Sequence, residues 1–411
     1  MKFSVVNLGC KVNRVEADAI TAMYLNDGHE LASPDDCDLI VVNTCTVTGE
    51  ADKKARKAVR RALGANDRAR VVVTGCGVEI APDDFSRLGD RVDVVTRAEF
   101  EGERAHRADE GRLLRVGDAF RTRVNLKIQD GCDHRCSYCI VSTARGASRS
   151  MDADGVVAQA AAYAKYGVKE LVLTGINLAC YRSGEVGLAK LLERMLVATD
   201  EACPNGEAPL RMRISSVEPL DLDEDVIGVM ADSDGRVCRH LHLALQSGSS
   251  RVLKEMNRPY SAEEYVALVE RMRADIPSLA LTTDIIVGFP GETEADFDRS
   301  IEVAKACGFS KIHVFPYSMR AGTPAAARPD QIAPEIKQER AKRLRDLSAE
   351  LATLDFERRR GTFEQAIVGP DSALTESYHA VPAPVGAPLG SLVSVCLDER
   401  VGAASHDTID A

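Results

Sequence analysis

The sequence has 411 residues, enough for two or three domains with substantial hydrophobic cores. Its 45% apolar and 28% charged residues are typical of a globular protein, and the absence of a run of eighteen apolar residues excludes a predicted membrane helix. The formal net charge of −11 argues against nonspecific coating of nucleic acid, and the first ten residues do not form a signal peptide, so we expect a cytoplasmic protein with no membrane partner.

Residues 1–98 alternate between short aliphatic runs and helical segments. Aliphatic runs that are bounded by helices indicate parallel strands covered on both faces, so we expect an open, doubly wound α/β domain. The predicted strands are Phe3–Leu8, Leu39–Asn43, Val71–Thr74 and Val92–Val95.

Three of these strands end at a cysteine, namely Cys10, Cys45 and Cys76. In open α/β sheets, ligands bind outside the carboxyl ends of the strands, so these three cysteines could converge and hold a metal cluster. Alternatively, each is only a small residue in a tight strand-to-helix turn.

The segment KKARKAVRR, from Lys53 to Arg61, carries six cations and no acid. On a helix, its apolar residues would lie on one face and its cations on another. We expect the cations to contact RNA, although a merely solvated charged face is the alternative. The predicted RNA-binding residues are Lys53, Arg56, Lys57, Arg60 and Arg61.

Residues 98–122 are polar without an apolar period, which predicts a connection between domains. Val124, Leu126 and Ile128 then alternate with polar residues and predict a strand that runs directly into the loop GCDHRCSYC.

This loop places Cys132, Cys136 and Cys139 in a C-x3-C-x2-C spacing. Three thiolates can bind three irons of a [4Fe–4S] cluster, and since such clusters usually take four cysteines, one iron would stay open to another ligand. A zinc site would need a fourth ligand close by, whereas the next cysteine is Cys180 and His134 is badly placed. Zinc or inert thiols remain the alternatives. The other cysteines are interpreted as small buried residues: Cys37, Cys180, Cys203, Cys238, Cys307 and Cys396.

A second βα series follows the loop, and with the strand at Val124 it gives about six units, fewer than the eight of a closed barrel. We therefore expect an open (β/α)6-type partial barrel over residues 121–356, ending in a long helix from Ala333 to about Arg360. The predicted strands are Glu170–Thr174, Arg211–Ser215, His240–Leu245, Thr283–Val287 and Lys311–Phe315. The predicted helices are Val156–Lys165, Leu188–Val197, Glu263–Arg273 and Glu294–Ala306.

The cysteine loop resembles that of the radical S-adenosylmethionine (SAM) enzymes, in which SAM chelates the open iron and is cleaved to a 5′-deoxyadenosyl radical. LGCKVNRVEADAI from Leu8, VVNTCTVTGEADKKARK from Val41 and VTGC from Val73 are similar to the N-terminal domain of the methylthiotransferases, a radical-SAM family with an auxiliary [4Fe–4S] cluster. The resemblance implies two [4Fe–4S] clusters. Cys10, Cys45 and Cys76 would hold the auxiliary one, and Cys132, Cys136 and Cys139 would hold the one that binds SAM.

The same resemblance implies which residues contact SAM. Tyr138 would lie beside the adenine, and the strand ends LTGIN, SSVEP and QSGS would line the cleft. Each of these residues could instead serve only a tight strand exit. The implied cofactor-binding residues are Tyr138, Thr174, Gly175, Asn177, Ser216, Glu218 and Gln246.

Residues 361–411 change to short β-like runs, Gln365–Val368 and Ser391–Leu397 among them, separated by Pro and Gly. TESYHAV from Thr375 resembles the signature of the TRAM domain, a small RNA-binding β-barrel. However, this tail contains Arg400 against seven acids, whereas RNA affinity depends chiefly on neutralising phosphates.

Taken together, the resemblance implies a two-cluster radical-SAM methylthiotransferase that acts on tRNA and needs an electron donor and a sulfur source. GCKVN and NTCTVTGEADKKARK look like the branch that modifies C2 of N6-threonylcarbamoyladenosine beside the anticodon. Sister branches modify isopentenyladenosine in tRNA or an aspartate of a ribosomal protein, and the acidic tail would suit the latter. An electron-transfer or sensing protein without turnover is the alternative of another class, but it would need no open iron.

Overall fold

The computed structural model describes residues 1–104, 115–116, 119–120, 122–203 and 209–401. Its packing divides the chain into two compact units. The first unit contains Met1–Arg121, Asp130–Arg149 and Ser318–Ala326, and the second contains Thr122–Gln129, Ser150–Tyr317 and Ala327–Ala411. Within the described residues, we find no helix with the length and apolar character needed to cross a membrane.

A five-stranded parallel sheet forms the centre of the first unit, in the order β2-β1-β3-β4-β5. This confirms the predicted doubly wound domain, and the order reverses between β1 and β3, which is where such folds bind ligands. The two-residue edge strand β2 was not predicted. The strands are β1 (Lys2–Asn7), β2 (Glu30–Leu31), β3 (Leu39–Thr44), β4 (Arg70–Gly75) and β5 (Val92–Val94).

Helices cover both faces of this sheet, and β3 is therefore buried along its whole length. Ile40 and Val42 pack in one core cluster with Val59, while Val41 packs on the other face with Ile20. The helices are α1 (Lys11–Asn26), α2 (Gly49–Ala65), α3 (Cys76–Ile80), α4 (Asp83–Ser86), α5 (Arg97–Arg104) and α6 (Val141–Arg145).

We expected a connection over residues 98–122, but its first part lies inside helix α5. The helix was missed because its polar sequence shows no apolar period. Two short antiparallel strands follow, β6 (Arg115–Val116) and β7 (Ala119–Phe120), and the rest of this prediction lies outside the described residues. The first unit also includes residues 318–326, where Ser318 Oγ accepts a hydrogen bond of 2.8 Å from Gly49 N at the start of α2. The two-residue strands β9 (Gln129–Asp130) and β10 (Arg149–Ser150) are found where the chain changes units.

The second unit contains the predicted partial barrel of parallel strands. Its strands pair in the orders β14-β11-β8 and β15-β16-β17-β18, and β14 leads into β15 after Ser215. This architecture confirms the six βα units expected from the sequence. The strands are β8 (Arg123–Lys127), β11 (Glu170–Thr174), β14 (Arg211–Ile214), β15 (Ser216–Val217), β16 (His240–Leu243), β17 (Ala280–Val287) and β18 (Lys311–Pro316). A small hairpin of β12 (Arg182–Ser183) and β13 (Val186–Gly187) follows β11.

Side-chain caps fix the starts of several barrel helices, because the first N–H groups of a helix lack intrahelical partners. Ser261 with Glu264 and Thr293 with Asp296 form capping boxes, and Asp152 accepts from Gly155 N. The helices are α7 (Ala153–Lys165), α8 (Leu188–Ala202), α9 (Glu224–Asp232), α10 (Ser250–Glu255), α11 (Ala262–Asp275), α12 (Glu294–Cys307) and α13 (Pro334–Arg359).

The long helix α13 buries Leu344, Leu347 and Leu351 as their spacing predicts. The fourth leucine of the predicted stripe, Leu354, is 57% exposed. The stripe continues through Phe356 instead, since Leu354 has rotated off the buried face.

An antiparallel sheet in the order β21-β20-β19-β22 ends the described chain. The strands are β19 (Phe363–Val368), β20 (Ala373–Thr375), β21 (Ala380–Val381) and β22 (Leu392–Cys396).

A buried charge cluster lies at the start of β11, where Glu170 is fully buried. The parallel register places Glu170 opposite Arg123 and Arg211, and its carboxylate accepts from the Nε atoms of Arg123 at 2.8 Å, Arg211 at 2.6 Å and Arg213 at 2.9 Å. Burial alone would raise the pKa of Glu170, but the three guanidinium groups hold it well below its usual range.

The same arginines fasten the C-terminal sheet to the barrel. Arg213 Nη2 donates to Thr375 O at 3.3 Å, and its guanidinium lies 4.1 Å from the centre of the Tyr378 ring. His379, buried at 3% exposure, lies 2.9 Å from Asp355 of α13. Most of the TESYHAV signature is thus buried within the second unit, where it holds the sheet in place, and its buried side chains are not available to RNA.

We predict that Glu170→Gln lowers the free energy of unfolding by about 3–5 kcal/mol, because three buried arginines lose their anion. Urea denaturation of the apo-protein followed by circular dichroism measures the change. The control is Glu193→Gln on the exposed face of α8, which should stay within about 0.5 kcal/mol. Equal stabilities of the two variants would contradict the assigned role of Glu170.

The comparison of wild type with Glu170→Gln also predicts a pH dependence of stability. Folding lowers the pKa of Glu170. The ionised carboxylate therefore contributes its full stabilisation of the folded state above the unfolded-state pKa of about 4.3, and this stabilisation is lost as the pH falls from there through the folded-state pKa. The stability difference between wild type and Glu170→Gln should therefore shrink below about pH 4.

Candidate functional site

The first cysteine set lies at the carboxyl ends of three adjacent strands of the first unit. Cys10 precedes α1 after β1, Cys45 follows β3, and Cys76 is the first residue of α3 after β4. Asn13 Oδ1 lies 3.5 Å from Cys10 Sγ and 4.0 Å from Cys76 Sγ. A Cβ atom built on Gly9 would lie 3.0 Å from Cys45 Sγ, so glycine keeps space free beside that sulfur. The structure therefore brings the three predicted cysteines together.

Asn13 is fixed at the centre of this set. Its Nδ2 donates to Leu8 O at 3.0 Å and to Thr44 O at 2.9 Å, which ties together the ends of β1 and β3. Gly75, just before Cys76, has φ +93°, and a Cβ there would lie 2.3 Å from Asn43 Oδ1. Only glycine fits this turn, which aims Cys76 at the same edge.

The environment of Cys45 and Cys76 opposes the ionisation of their thiols. Burial raises the pKa of Cys45, and it raises that of Cys76 to about 12, while the guanidinium of Arg145 lowers both. Thiols buried in this way ionise when a metal binds them, because the ligand is the thiolate.

The second cysteine set also belongs to the first unit. Cys132, Cys136 and Cys139 are partly exposed on the loop between β9 and α6. Cys132 N donates to Gly146 O at 3.1 Å and Cys139 N donates to Cys136 O at 3.1 Å, so backbone hydrogen bonds define the loop. Gly131 has φ +72°, and a Cβ there would lie 1.9 Å from Ala147 O.

Both sets have the chemistry that an iron–sulfur cluster requires. Each offers three thiols that form no disulfide, and thiolates are the usual ligands of such clusters. Soft sulfur donors also exclude the hard cations Mg²⁺ and Ca²⁺ as preferred occupants. The residues present therefore fit the clusters that the sequence implies.

The predicted SAM-binding residues lie in different places. Tyr138 is in the first unit, where the carbonyl oxygen of the adjacent Ser137 accepts a hydrogen bond of 2.8 Å from Ala325 N. The others lie at the carboxyl ends of strands in the second unit, as predicted for a barrel site. These are Thr174, Gly175, Asn177, Ser216, Glu218 and Gln246.

Hydrogen bonds hold these strand ends rigid. Gln129 Oε1 accepts from Ile176 N at 2.8 Å and from Asn177 N at 3.0 Å, and a Cβ on Gly175 would lie 2.9 Å from the same oxygen. Asn177 Oδ1 in turn accepts from Glu218 N at 3.2 Å. Thus Asn177 links the end of β11 to the turn after β15.

Gln246 has a strained backbone, with φ +66° after β16. Its N–H donates to Asp284 O at 2.8 Å and its carbonyl accepts from Ile286 N at 2.9 Å, so β17 holds it in the left-handed region. Non-glycine residues in this region often mark functional sites.

Sequence reasoning missed three polar residues on neighbouring barrel strands: His242, Asp284 and His313. One ligand atom from each lies within 4.8 Å of the others, and His242 Nε2 is 3.3 Å from Asp284 Oδ1. Burial raises the pKa of Asp284, but the two histidines lower it overall. The available signal was a polar residue that alternates with apolar or small ones in the strand segments HLH, TTD and KIH. Histidine or aspartate within a strand does not by itself identify a site.

Helix α2 has the predicted amphipathic pattern. Ala55, Val59 and Ala62 are buried, while Lys53 and Lys57 are exposed. Arg60 and Arg61 are also exposed, and Arg56 is partly buried with its Nη1 3.4 Å from Asp84. The helix therefore presents a basic face.

Comparisons with known proteins agree with this architecture. The family model described as the radical SAM superfamily matches residues 126–304, and the one described as uncharacterized protein family UPF0004 matches residues 2–97. The radical S-adenosylmethionine methyltransferase TsrM of Kitasatospora setae matches with a TM-score of 0.58 over 79% of this chain and 77% of its own. Its 16% identity shows a shared fold alone.

Two curated relatives are more similar in sequence. A Bacillus subtilis (strain 168) protein named threonylcarbamoyladenosine tRNA methylthiotransferase MtaB is 39% identical over 84% of this chain and 80% of its own. The tRNA-2-methylthio-N(6)-dimethylallyladenosine synthase of Endomicrobium trichonymphae is 32% identical over 83% of this chain and 82% of its own. This protein therefore belongs to the radical-SAM tRNA methylthiotransferase family, enzymes that use SAM and a [4Fe–4S] cluster.

Proposed function

We propose that the protein is a two-cluster enzyme that adds a methylthio group to C2 of N6-threonylcarbamoyladenosine, beside the anticodon of tRNA. The observation that carries the proposal is the convergence of three cysteines at one sheet edge, in the compact unit that also contains the C-x3-C-x2-C loop. The sulfurs of Cys10 and Cys76 lie beside Asn13 Oδ1, and Cys45 Sγ lies beside Gly9. Three cysteines kept at strand ends only for their size would not need to meet there.

The chain's residues have separate duties in this reaction. Cys132, Cys136 and Cys139 would hold a cluster whose chemistry is the reductive cleavage of SAM, and Cys10, Cys45 and Cys76 would hold one that would supply the site of the methylthio group. Asn13, Gly9 and Gly75 hold the first cysteine set in place, and Gly131 shapes the loop of the second. Precise placement matters because small displacements of reacting atoms cost large factors in rate.

In the second unit, the strand ends bind and orient SAM. The turn at Thr174–Asn177 is fixed by Gln129 and lies at the carboxyl end of β11, where barrel folds bind their ligands. The Glu218 carboxylate is held by an ion pair with Arg258, which fixes its position after β15. Tyr138 remains the proposed neighbour of the adenine.

The substrate assignment follows the relatives. The printed name of the Bacillus subtilis protein specifies threonylcarbamoyladenosine, and that of the Endomicrobium protein specifies dimethylallyladenosine. The higher identity to the former and the GCKVN motif favour N6-threonylcarbamoyladenosine. An electron donor, a sulfur source and a cytoplasmic location complete the proposal.

The first prediction separates the two clusters by their chemistry. Replacing Cys132, Cys136 and Cys139 with Ala should abolish both 5′-deoxyadenosine release and tRNA modification. Replacing Cys10, Cys45 and Cys76 with Ala should leave uncoupled SAM cleavage measurable while the product falls to background. Anaerobic chromatography of 5′-deoxyadenosine and of the modified nucleoside provides both readouts.

The triple variant of Cys37, Cys238 and Cys307 is the control, because these buried thiols lie outside both sets. If the chain without Cys10, Cys45 and Cys76 still transfers the methylthio group at the parental rate, these three cysteines have only a structural role. A wild-type chain that binds clusters but never releases 5′-deoxyadenosine would be an electron-transfer or sensing protein instead.

The second prediction concerns α2 as the tRNA contact. Changing Arg56, Lys57 and Arg60 to Ala should weaken binding and reduce the slope of log K against log salt by roughly two to three, because each lost phosphate contact releases one fewer counterion. Filter binding over a salt series measures the slope. The matched control removes three exposed cations from α13, namely Lys342, Arg343 and Arg345. If both triple variants keep the parental slope, the tRNA binds elsewhere.

The third prediction identifies the substrate. Deletion of the gene should remove the 2-methylthio derivative of N6-threonylcarbamoyladenosine from total tRNA and leave the unmodified nucleoside in its place. Mass spectrometry of digested tRNA detects both. Loss of the 2-methylthio derivative of isopentenyladenosine would assign the protein to the sister branch, and unchanged tRNA would favour a protein substrate.

A further inference from the structure

Arg145 is the last residue of α6, directly after the C-x3-C-x2-C loop, and it is 3% exposed. A buried guanidinium is costly unless carboxylates and hydrogen bonds compensate it. Its Nη1 lies 3.0 Å from Glu16 Oε1 of α1 and 3.0 Å from Asp130 Oδ1. The end of the helix that follows the loop is therefore anchored to the helix that follows Cys10, within the same unit.

The guanidinium also reaches the first cysteine set. Arg145 Nη2 donates to Asn13 Oδ1 at 2.6 Å, and this is the oxygen that lies 3.5 Å from Cys10 Sγ and 4.0 Å from Cys76 Sγ. One acceptor atom thus lies within 4.0 Å of both a guanidinium nitrogen and two sulfurs.

This geometry has a consequence once the cysteines bind metal. A protonated thiol donates to an amide oxygen, but a thiolate only accepts, so Asn13 Oδ1 and the sulfurs would then repel one another. The N–H of Arg145 already occupies this oxygen, and its charge offsets the repulsion. Arginine suits the role because it stays protonated in proteins.

Neighbouring charges show that Arg145 is the central cation. Arg97 Nη1 is 3.9 Å from Glu16 and 3.7 Å from Asp130, beyond hydrogen-bond distance, although Arg97 Nη2 donates to Ala144 O at 2.7 Å. Arg149 Nη2 is 2.9 Å from Asp130, but its side chain is 45% exposed and its charge is screened by water. Arg145 is thus the buried cation in contact with Asn13.

We propose that Arg145 is a positioning residue that places a fixed positive charge beside the cluster bound by Cys10, Cys45 and Cys76, and thereby raises the reduction potential of that cluster. Reduction adds negative charge, which a nearby cation stabilises, and charge and hydrogen bonding near the sulfurs set such potentials. The inference rests on the proposed two-cluster function. Because Arg145 ends the helix after the other cysteine loop, it also links the two sets physically.

The test uses the full-length chain with Cys132, Cys136 and Cys139 replaced by Ala, so that only the first set can hold a cluster. Into this chain we introduce Arg145→Gln, Arg145→Lys, Glu16→Gln or the control Arg149→Gln. Iron per chain and the midpoint potential are measured after anaerobic reconstitution, the latter by a redox titration monitored by electron paramagnetic resonance.

Arg145→Gln should shift the potential to more negative values, whereas Arg145→Lys, which keeps the positive charge, should retain most of the parental potential. Glu16→Gln should move the potential the opposite way, because it removes an anion that neutralises Arg145. Arg149→Gln should have a smaller effect. A merely structural role would not produce shifts of opposite sign in two variants that both break the Arg145–Glu16 pair.

Equal potentials in the Arg145→Gln and Arg149→Gln chains would overturn the inference, as would shifts of Arg145→Gln and Glu16→Gln in the same direction. If Arg145→Gln binds no iron, the Arg145→Lys and Glu16→Gln chains decide, and a parental potential in Glu16→Gln rejects the proposal. A parent chain that binds no iron contradicts the two-cluster function itself, and with it this inference.

Discussion

Parallel pairing of β1, β3 and β4 is the constraint on which the site depends. Parallel strands end at the same edge, so a residue that follows each strand reaches a common point although the three are far apart in sequence. The register sets Asn7 opposite Asn43 and Asn43 opposite Thr74, which keeps the three ends level. Cys10, Cys45 and Cys76 then need only short turns to meet.

Three thiols at one edge of the sheet, two of them buried, create an electrostatic problem, since their metal-bound form is anionic. The fold answers with a buried arginine that is itself held by carboxylates of α1 and β9. The second unit uses the same device for another purpose, where Glu170 compensates three arginines that hold the C-terminal sheet. In both places, removing one partner of the ion pair should lower the free energy of unfolding by more than the intact pair contributes, because the other charge is left buried and uncompensated.

Much of this organisation was predictable from sequence. Aliphatic runs gave the bounds of β11 without error and those of β1, β3 and β4 within one residue, because buried parallel strands are unbroken apolar segments. The two cysteine sets were identified from spacing and from their positions at strand ends. Their convergence could be expected because strand direction and strand order follow general rules.

Other features depend on contacts that a linear pattern does not contain. Arg145 is more than one hundred residues away in sequence from both Asn13 and Glu16, so nothing in the local sequence around Arg145 shows that it is buried. Arg123 appeared as the polar side of a strand, yet it is 8% exposed because Glu170 lies opposite it. The TESYHAV signature likewise suggested RNA recognition, whereas packing against the barrel determines its role in the fold.

The most direct test of this account is the metal content of the wild-type chain after anaerobic reconstitution, measured with Mössbauer spectroscopy to identify the cluster type. Two sets of three cysteines that each hold a [4Fe–4S] cluster predict about eight irons and eight sulfides per chain. A saturating value of about four irons, lost on replacement of Cys132, Cys136 and Cys139 alone, would contradict the claim that the strand ends of the first unit form a second cluster site.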